Sequence, residues 1–222
     1  MKLLLEMMDV TCVFGSGARQ VTALDSVSLV VKPGELVAVM GPSGSGKSTL
    51  LNVAGLLEPV TSGRMLMDGV DTRDFSANKL AELRRTKVGM VFQHYNLVPT
   101  LTVAENVSLP LELDGISPAA CRAAADKALE EVGLSGLGDS FPENISGGQA
   151  QRVAIARALI GTRTLLLADE PTGALDTATA DDVMSVLRAR VDDGAAALLV
   201  THEPRFAGWA DRTVMMRDGR VS

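Results

Sequence analysis

Residues 41–49 read Gly-Pro-Ser-Gly-Ser-Gly-Lys-Ser-Thr and match the pattern G-x-x-x-x-G-K-[ST]. The glycines allow a tight backbone turn in which several N–H groups point inward and hold phosphate oxygens. The apolar run Leu36–Met40 before the loop predicts a strand, and a helix after it would add its positive end. A glycine-rich turn that binds nothing would explain the glycines but not the Lys-Ser pair after them. The stretch therefore predicts a phosphate-binding loop between a strand and a helix.

The residues of this loop have separate expected roles. Lys47 is expected to reach the β- and γ-phosphates, the Ser48 hydroxyl to bind Mg²⁺, and Thr49 to contact the α-phosphate. The other residues of the loop expected to bind the nucleotide are Gly41, Ser43, Gly44, Ser45 and Gly46. The motif alone does not choose among kinases, GTPases and motor ATPases, so the rest of the chain must decide.

Two further apolar runs, at 165–168 and 195–200, predict strands that are buried on both faces. The first ends at Asp169 and Glu170, and the second ends shortly before His202. Open α/β sheets bind ligands at the carboxyl ends of their strands. We therefore expect Asp169 to hold Mg²⁺, and Glu170 to act as the general base that polarises the attacking water. An acidic pair after a strand is more often a helix cap or a solvated loop, but here a phosphate loop accompanies it.

Alternation of short apolar runs with helical patterns predicts an α/β fold. We expect a single domain, residues 1–222, with a P-loop NTPase (RecA-like) core sheet, an N-terminal antiparallel β region and an inserted α-helical subdomain. The core would comprise about 1–93 and 152–222, and the helical subdomain about 94–151. Within that subdomain, Ser117-Pro118 predicts the start of a helix that stops at Gly133. A second helix is expected from about Gly147.

Composition excludes several classes of protein. The formal net charge is −6 and no Lys/Arg run occurs, so a nucleic-acid-binding surface is not expected. Cys12 and Cys121 lack metal or disulfide spacing and are expected to be reduced thiols. The uncharged stretch between Lys87 and Glu105 contains several polar residues, so it does not predict a membrane span, and the apolar N-terminus is too short for a signal peptide.

The most specific motif is Ile145-Ser146-Gly147-Gly148-Gln149, which is followed by Ala-Gln-Arg-Val-Ala-Ile-Ala-Arg-Ala-Leu at 150–159. It resembles the L-S-G-G-Q signature of ABC ATPases, with an isoleucine at the first position, and the resemblance covers essentially the whole chain. Free N–H groups at a helix start form an anion site. In the family, this site binds the γ-phosphate of the partner's nucleotide. The resemblance therefore implies a head-to-tail homodimer with two ATP molecules at the interface.

Other residues match further elements of this family. Gln93 resembles the Q-loop glutamine, which contacts Mg²⁺ or the attacking water, and Asp176 resembles the D-loop aspartate that acts across the dimer. His202 resembles the switch histidine that contacts the γ-phosphate. Phe14 occupies the position at which many relatives stack a tyrosine on adenine, and stacking needs no hydroxyl. The alternative for Phe14 is an ordinary core residue.

Residues 95–107 read Tyr-Asn-Leu-Val-Pro-Thr-Leu-Thr-Val-Ala-Glu-Asn-Val, and Leu-Pro-Leu follows at 109–111. Together these stretches resemble the lipoprotein-releasing and macrolide-exporting group of ABC ATPases. That resemblance implies a separate membrane permease, contacted near Gln93 to Leu97, and a cytoplasmic protein peripheral on the inner membrane. An alternative is a regulatory ATPase that acts with a permease-like partner on cell-wall hydrolases in cell division. A soluble P-loop enzyme or DNA-repair ATPase is disfavoured, because no sustained heptad tract occurs and the chain is acidic.

Overall fold

The chain forms two sheets flanked by helices in a computed structural model, which describes residues 3–222. The strands are β1 (Leu5–Phe14), β2 (Val21–Val31), β3 (Leu36–Met40), β4 (Ser62–Met67), β5 (Val70–Asp71), β6 (Val88–Val91), β7 (Leu165–Asp169), β8 (Ala196–Val200), β9 (Arg212–Arg217) and β10 (Arg220–Val221). The helices are α1 (Lys47–Ala54), α2 (Ala77–Lys87), α3 (Val103–Leu113), α4 (Pro118–Glu131), α5 (Gly147–Leu159), α6 (Thr177–Asp192) and α7 (Pro204–Ala207). This alternation confirms the predicted α/β class.

The larger sheet has the strand order β10-β9-β3-β8-β7-β6. Strands β9, β3, β8, β7 and β6 run parallel, and β10 is an antiparallel edge strand. Alternate residues of β7 enter different cores, since Leu165 and Leu167 pack on one face while Leu166 and Ala168 pack on the other. Strands β3, β7 and β8 are therefore buried on both faces, as predicted. Because β3, β7 and β8 are parallel, the polar residues that follow them lie at one edge.

The smaller sheet is antiparallel and has the order β2-β1-β4-β5. In its centre Leu5 pairs with Val31 on one side and with Met67 on the other. One buried core joins this sheet, α1 and the near face of the larger sheet, and it includes Leu24 and Leu50. The predicted N-terminal β region is confirmed, although β4 and β5 join it from beyond the phosphate loop.

Helices α3, α4 and α5 pack on one another between β6 and β7 in the chain. Helix α4 begins at Pro118 and ends before Gly133, and α5 begins at Gly147, so the predicted helices are confirmed. Helix α2 was not predicted, and none of its residues is buried. No helix within residues 3–222 combines the length and the apolar character that a bilayer crossing requires.

Both cysteines are buried free thiols. Burial is the main cause that raises the pKa of Cys12 and of Cys121, so little thiolate forms at neutral pH. This agrees with the expectation of ordinary reduced cysteines.

Candidate nucleotide site

A cavity of about 720 Å³ opens at the carboxyl ends of β3, β7 and β8. The predicted residues that line it are Gly41, Ser43, Gly44, Gly46, Lys47, Ser48, Thr49, Gln93, Asp169, Glu170 and His202. They come from loops that are far apart in the sequence, and the parallel sheet brings them together. The cavity is therefore the candidate functional site.

The loop at 41–46 has a conformation that only glycine accommodates at two positions. Gly46 has φ +102°, and a Cβ there would lie 2.3 Å from the carbonyl oxygen of Ala23. Gly41 has φ +154°, and its Cβ would lie 2.0 Å from the carbonyl oxygen of Met216. Helix α1 begins directly after the loop, so its unpaired N–H groups face the same point. The backbone thus has the geometry of an anion cradle, which is what a phosphate-binding loop requires.

Lys47 adds a positive charge to this cradle. Its Nζ donates hydrogen bonds of 2.8 Å to the carbonyl oxygens of Gly41 and Pro42. The ammonium group is therefore held over the loop, a position that suits an anionic ligand.

Ser48 and Asp169 face each other across the cavity floor, and the Ser48 Oγ donates to Asp169 Oδ2 at 2.7 Å. Burial is the largest cause that raises the pKa of Asp169, and the neighbouring Glu170 charge adds to it, whereas Ser48 and Lys47 lower it. A cation in contact with this carboxylate would offset the cost of burying its charge.

The donors present fit Mg²⁺. The Ser48 hydroxyl, the Asp169 carboxylate and the Gln93 amide line the same cavity. Within residues 3–222, no group of three or more His, Cys, Asp or Glu side chains is arranged to hold a metal. Mg²⁺ is typically bound by one or two carboxylates together with substrate phosphates and water, rather than by a cage of protein ligands. The site therefore suits a magnesium ion that arrives with a nucleotide.

Glu170 and His202 form a pair that the sequence did not predict. His202 Nδ1 lies 3.0 Å from Glu170 Oε1. Glu170 has φ +48°, an uncommon backbone conformation for a residue with a side chain, and its amide donates to the carbonyl of Val200 at 3.0 Å. Such strain concentrates at functional sites. The two side chains that the sequence assigned separate roles are thus held in contact at the cavity edge.

Sequence reasoning missed the wall of the cavity formed by β2 and by the turn between β9 and β10. Val21, Thr22 and Ala23 line the cavity, together with Asp218 and Gly219. The Asp-Gly pair signals a tight turn. That signal does not reveal that the turn contacts the phosphate loop.

The turn is tied to its neighbours through Gly219. Its amide donates to the carbonyl of Ser45 at 3.0 Å, and its carbonyl accepts from the amide of Asp25 at 2.8 Å. The turn between β9 and β10 therefore supports the phosphate loop and also binds β2.

Comparison with known proteins agrees with this geometry. Residues 24–173 match the protein family described as ABC transporter. The chain belongs to this family. It is 43% identical over 218 residues, 98% of its length, to the macrolide export ATP-binding/permease protein MacB of Neisseria gonorrhoeae. It is 44% identical over the same length to MacB of Brucella melitensis. Each match spans 34% of the relative, so the chain covers about a third of the length of these curated proteins.

The solved structures include the ABC transporter cassette MJ0796, which superposes with a TM-score of 0.94 and is 40% identical. The match covers 99% of this chain and 97% of the other. MJ0796 was solved as a dimer, including a post-hydrolysis state bound to ADP and Pi. These comparisons confirm the resemblance to ABC ATPases and to the macrolide-exporter group.

The signature residues of this ABC ATPase do not line the cavity of their own chain. Ser146 is the N-cap of α5: its Oγ accepts from the Gln149 amide at 3.2 Å, and Gln149 Oε1 accepts from the Ser146 amide at 2.8 Å. Gly147 and Gly148 form the first turn of the helix. A Cβ at Gly148 would lie 3.4 Å from the carbonyl of Ala174, so the signature turn is close to the D-loop.

Asp176, the predicted D-loop residue, is the N-cap of α6. Its carboxylate accepts from the Thr179 amide at 3.1 Å and from the Thr179 hydroxyl at 2.7 Å, and these bonds lower its pKa. It does not line the cavity of its own chain.

Two predicted nucleotide-binding residues lie beside the cavity rather than in its wall. Phe14 ends β1, is 40% exposed, and pairs with the cavity residue Val21. Ser45 is buried, its amide donates to the carbonyl of Pro42, and its hydroxyl has no hydrogen-bond partner within residues 3–222. Phe14 is thus available to stack on a base, whereas Ser45 contributes to the loop through its backbone.

Proposed function

We propose that this ABC ATPase binds Mg-ATP, closes as a head-to-tail homodimer on two nucleotides, and hydrolyses them to drive a membrane permease. The proposal rests on the observation that the residues expected to bind one nucleotide lie in two separate places on the chain. The phosphate loop, Asp169, Glu170 and His202 meet in one cavity, whereas the anion-binding turn at 146–149 lies outside that cavity. A second copy would bring its turn to the γ-phosphate. The dimer of MJ0796, which is 40% identical, supports this arrangement.

The binding half of the mechanism follows from the cradle. The loop amides and the start of α1 bind the phosphate oxygens, and Lys47 neutralises charge on the β- and γ-phosphates. Ser48, Asp169 and Gln93 would hold Mg²⁺, which would neutralise phosphate charge when bound. Phe14 stacks on the adenine, and its exposed ring is compatible with that role.

The hydrolysis step is assigned to Glu170 and His202 at the cavity edge. Glu170 accepts a proton from the attacking water as general base. His202 is oriented by its contact with Glu170, and it donates a hydrogen bond to the γ-phosphate. Ser146, Gly147, Gly148, Gln149 and Asp176 of the second copy complete the site. Loss of the γ-phosphate removes several charge-assisted contacts, so the dimer reopens after hydrolysis.

The work of this cycle is proposed to pass to a permease. The supporting observation is 43% identity to proteins named macrolide export ATP-binding/permease protein MacB. The helical subdomain, about 94–151, moves with dimer closure, and the permease contacts the region from Gln93 to Leu97. The ATPase would then act at the cytoplasmic face of the inner membrane, in export or extracytoplasmic mechanotransmission. Its net charge of −6 offers no support for a nucleic-acid partner.

The catalytic assignment is tested with Glu170→Gln. The amide keeps the shape of the side chain but cannot accept the proton, so ATP binding should persist while kcat falls on the order of a hundredfold or more. Size-exclusion chromatography with light scattering should show a dimer that forms with ATP and Mg²⁺ and persists in the variant. The control is Glu82→Gln, the same change at an exposed residue paired with Lys79 on α2. A kcat near the wild-type value in Glu170→Gln would refute the assignment.

The partner is tested by copurification. Tagged Glu170→Gln protein is expressed in its native host, and gently solubilised membranes are purified with ATP and Mg²⁺. A permease with a large extracytoplasmic domain would support the transport proposal. Recovery of a permease-like protein with cell-wall hydrolases would favour the regulatory alternative, and absence of any membrane protein would contradict the permease proposal.

A further inference from the structure

Arg157 lies near the C-terminal end of α5 and binds the backbone of a distant loop. Its Nη1 donates to the carbonyl of Asn96 and its Nη2 to the carbonyl of Tyr95, each at 2.7 Å. The side chain thus joins α5 to the loop that begins at Gln93, about sixty residues earlier. Both bonds are short and charge-assisted, which places them among the stronger hydrogen bonds in proteins.

The position of the Arg157 guanidinium costs solvation free energy. Arg157 is partly buried, and burial lowers the pKa of its guanidinium. Its contacts within residues 3–222 include two carbonyl oxygens but no carboxylate. A charge removed from water needs good hydrogen bonds to offset its lost solvation. The two carbonyl bonds are the contacts that offset it here, so the geometry of the loop and the position of Arg157 depend on each other.

Few other contacts fix the conformation of this loop. Residues 92–102 form no strand and no helix, and Asn96 has φ +48°. Asn106, which is fully buried, binds the amide and carbonyl of Val98 and thereby holds the far end. The near end, next to Gln93, is held by Arg157. This end also carries the residue that lines the nucleotide cavity.

Tyr95 connects the loop to the N-terminal end of α5. A Cβ added at Gly147 would lie 3.0 Å from Tyr95 Oη, so the hydroxyl rests against the first residue of the helix. The same tyrosine has its carbonyl bound by Arg157. Tyr95 therefore lies along α5, in contact with the signature turn at one end and with Arg157 at the other.

We infer that Arg157 is a positioning residue that clamps the loop after Gln93 onto α5, so that Gln93 and the signature turn move as one unit. The inference rests on the proposed function, in which Gln93 serves the nucleotide of its own chain and the turn at 146–149 serves that of the partner. The clamp links the two sites of the dimer through one side chain. Arg157 itself does not line the nucleotide cavity.

The test compares Arg157→Gln and Arg157→Lys with Arg152→Gln in the full chain. Arg152 is a matched control, because it also lies on α5 and donates to two carbonyls, those of Val132 and Gly133, but at the end of α4. For Arg157→Gln we expect kcat to fall on the order of tenfold to a hundredfold, as expected when a catalytic group is misplaced by about 1 Å, with KM for ATP within about threefold. Arg157→Lys, which retains one donor group, should be intermediate.

Hydrogen exchange measured by mass spectrometry gives a readout that is independent of activity. Both Arg157 variants should exchange faster than wild type in peptides that cover 93–102, whereas Arg152→Gln should affect peptides around 130–136 instead. A merely structural role would lower thermal stability in all three variants without this regional difference. If Arg157→Gln fails to fold, Arg157→Lys must meet the same criteria.

Unchanged exchange at 93–102 in the Arg157 variants would overturn the inference. It would also fail if the Arg152 and Arg157 variants lost kcat equally, or if neither Arg157 variant lost kcat. A wild-type protein without ATPase activity would instead contradict the proposed function. The exchange comparison would still decide whether Arg157 holds the loop.

Discussion

Asn106 allows a stability prediction whose size and pH dependence both follow from the structure. The side chain is fully buried, and its Oδ1 accepts from the Val98 amide at 2.7 Å. Its Nδ2 donates to the carbonyls of Val98, Leu101 and Thr102 at 3.0 to 3.1 Å. The substitution Asn106→Asp keeps the shape but replaces the two N–H donors, so an ionised carboxylate would face three carbonyl oxygens with nothing to donate.

The magnitude follows from the cost of keeping the new carboxyl group protonated. A protonated acid retains one donor, so the loss of the other costs about 1 kcal/mol. Protonation then costs about 1.4 kcal/mol for each pH unit above an unfolded pKa of about 3.9. The added cost is about 1.5 kcal/mol near pH 5 and approaches 5 kcal/mol near pH 7.5. Because the folded-state pKa is raised, stability is retained below about pH 4 and lost as the pH rises.

The assay is urea denaturation followed by circular dichroism near pH 5 and near pH 7.5, with wild-type values subtracted. A domain of this kind has a total stability of about 5–15 kcal/mol, so the variant should be close to unfolding at the higher pH. Asn144→Asp is the control, because Asn144 is exposed and the substitution adds the same charge. A stability deficit in Asn106→Asp that is equal at both pH values, or below about 1 kcal/mol near pH 7.5, would refute the reasoning.

Three other changes have effects that urea midpoints can check. Gly89→Ala should destabilise by about 3 kcal/mol, because the added Cβ would lie 2.0 Å from the carbonyl of Ala158; no loss would contradict that packing. Ser45→Ala should leave stability unchanged or raise it by about 1 kcal/mol, because it removes a buried hydroxyl that has no hydrogen-bond partner within residues 3–222. A clear loss of stability would show that this hydroxyl makes a stabilising hydrogen bond. Asp211→Ala should cost about 1 kcal/mol at neutral pH, because Asp211 accepts from the Leu36 amide at 2.8 Å. The hydrogen bond from the Leu36 amide and then the contact with Arg188 lower the pKa of Asp211, so the deficit should shrink as the pH falls below about 4; a deficit that does not change with pH would exclude the carboxylate charge as its source.

Much of the fold could be predicted because its signals are local. The positions of the glycines predict the phosphate loop, and short apolar runs predict the buried strands β3, β7 and β8. The starts of α4 and α5 are predicted by Ser-Pro and by Ser-Gly-Gly-Gln. Each signal involves neighbouring residues, so it acts before any long-range contact forms. The parallel direction of the strands then requires that Asp169 and His202 share an edge with the loop. Helix α2 was missed because its apolar contacts are few: only Leu80 and Leu83 pack against the core, both of them partly buried, and no residue of the helix is fully buried.

The sequence by itself therefore determined the family, the α/β class and most of the residues that line the cavity at the carboxyl ends of the strands. Only the tertiary structure decided that His202 contacts Glu170, that the turn at Asp218 and Gly219 supports the phosphate loop, and that Arg157 holds the backbone at Tyr95 and Asn96. These contacts join residues that are tens to nearly two hundred positions apart. They depend on the order in which strands and helices pack, which is set by the burial of the whole core and leaves no pattern in any short stretch of chain.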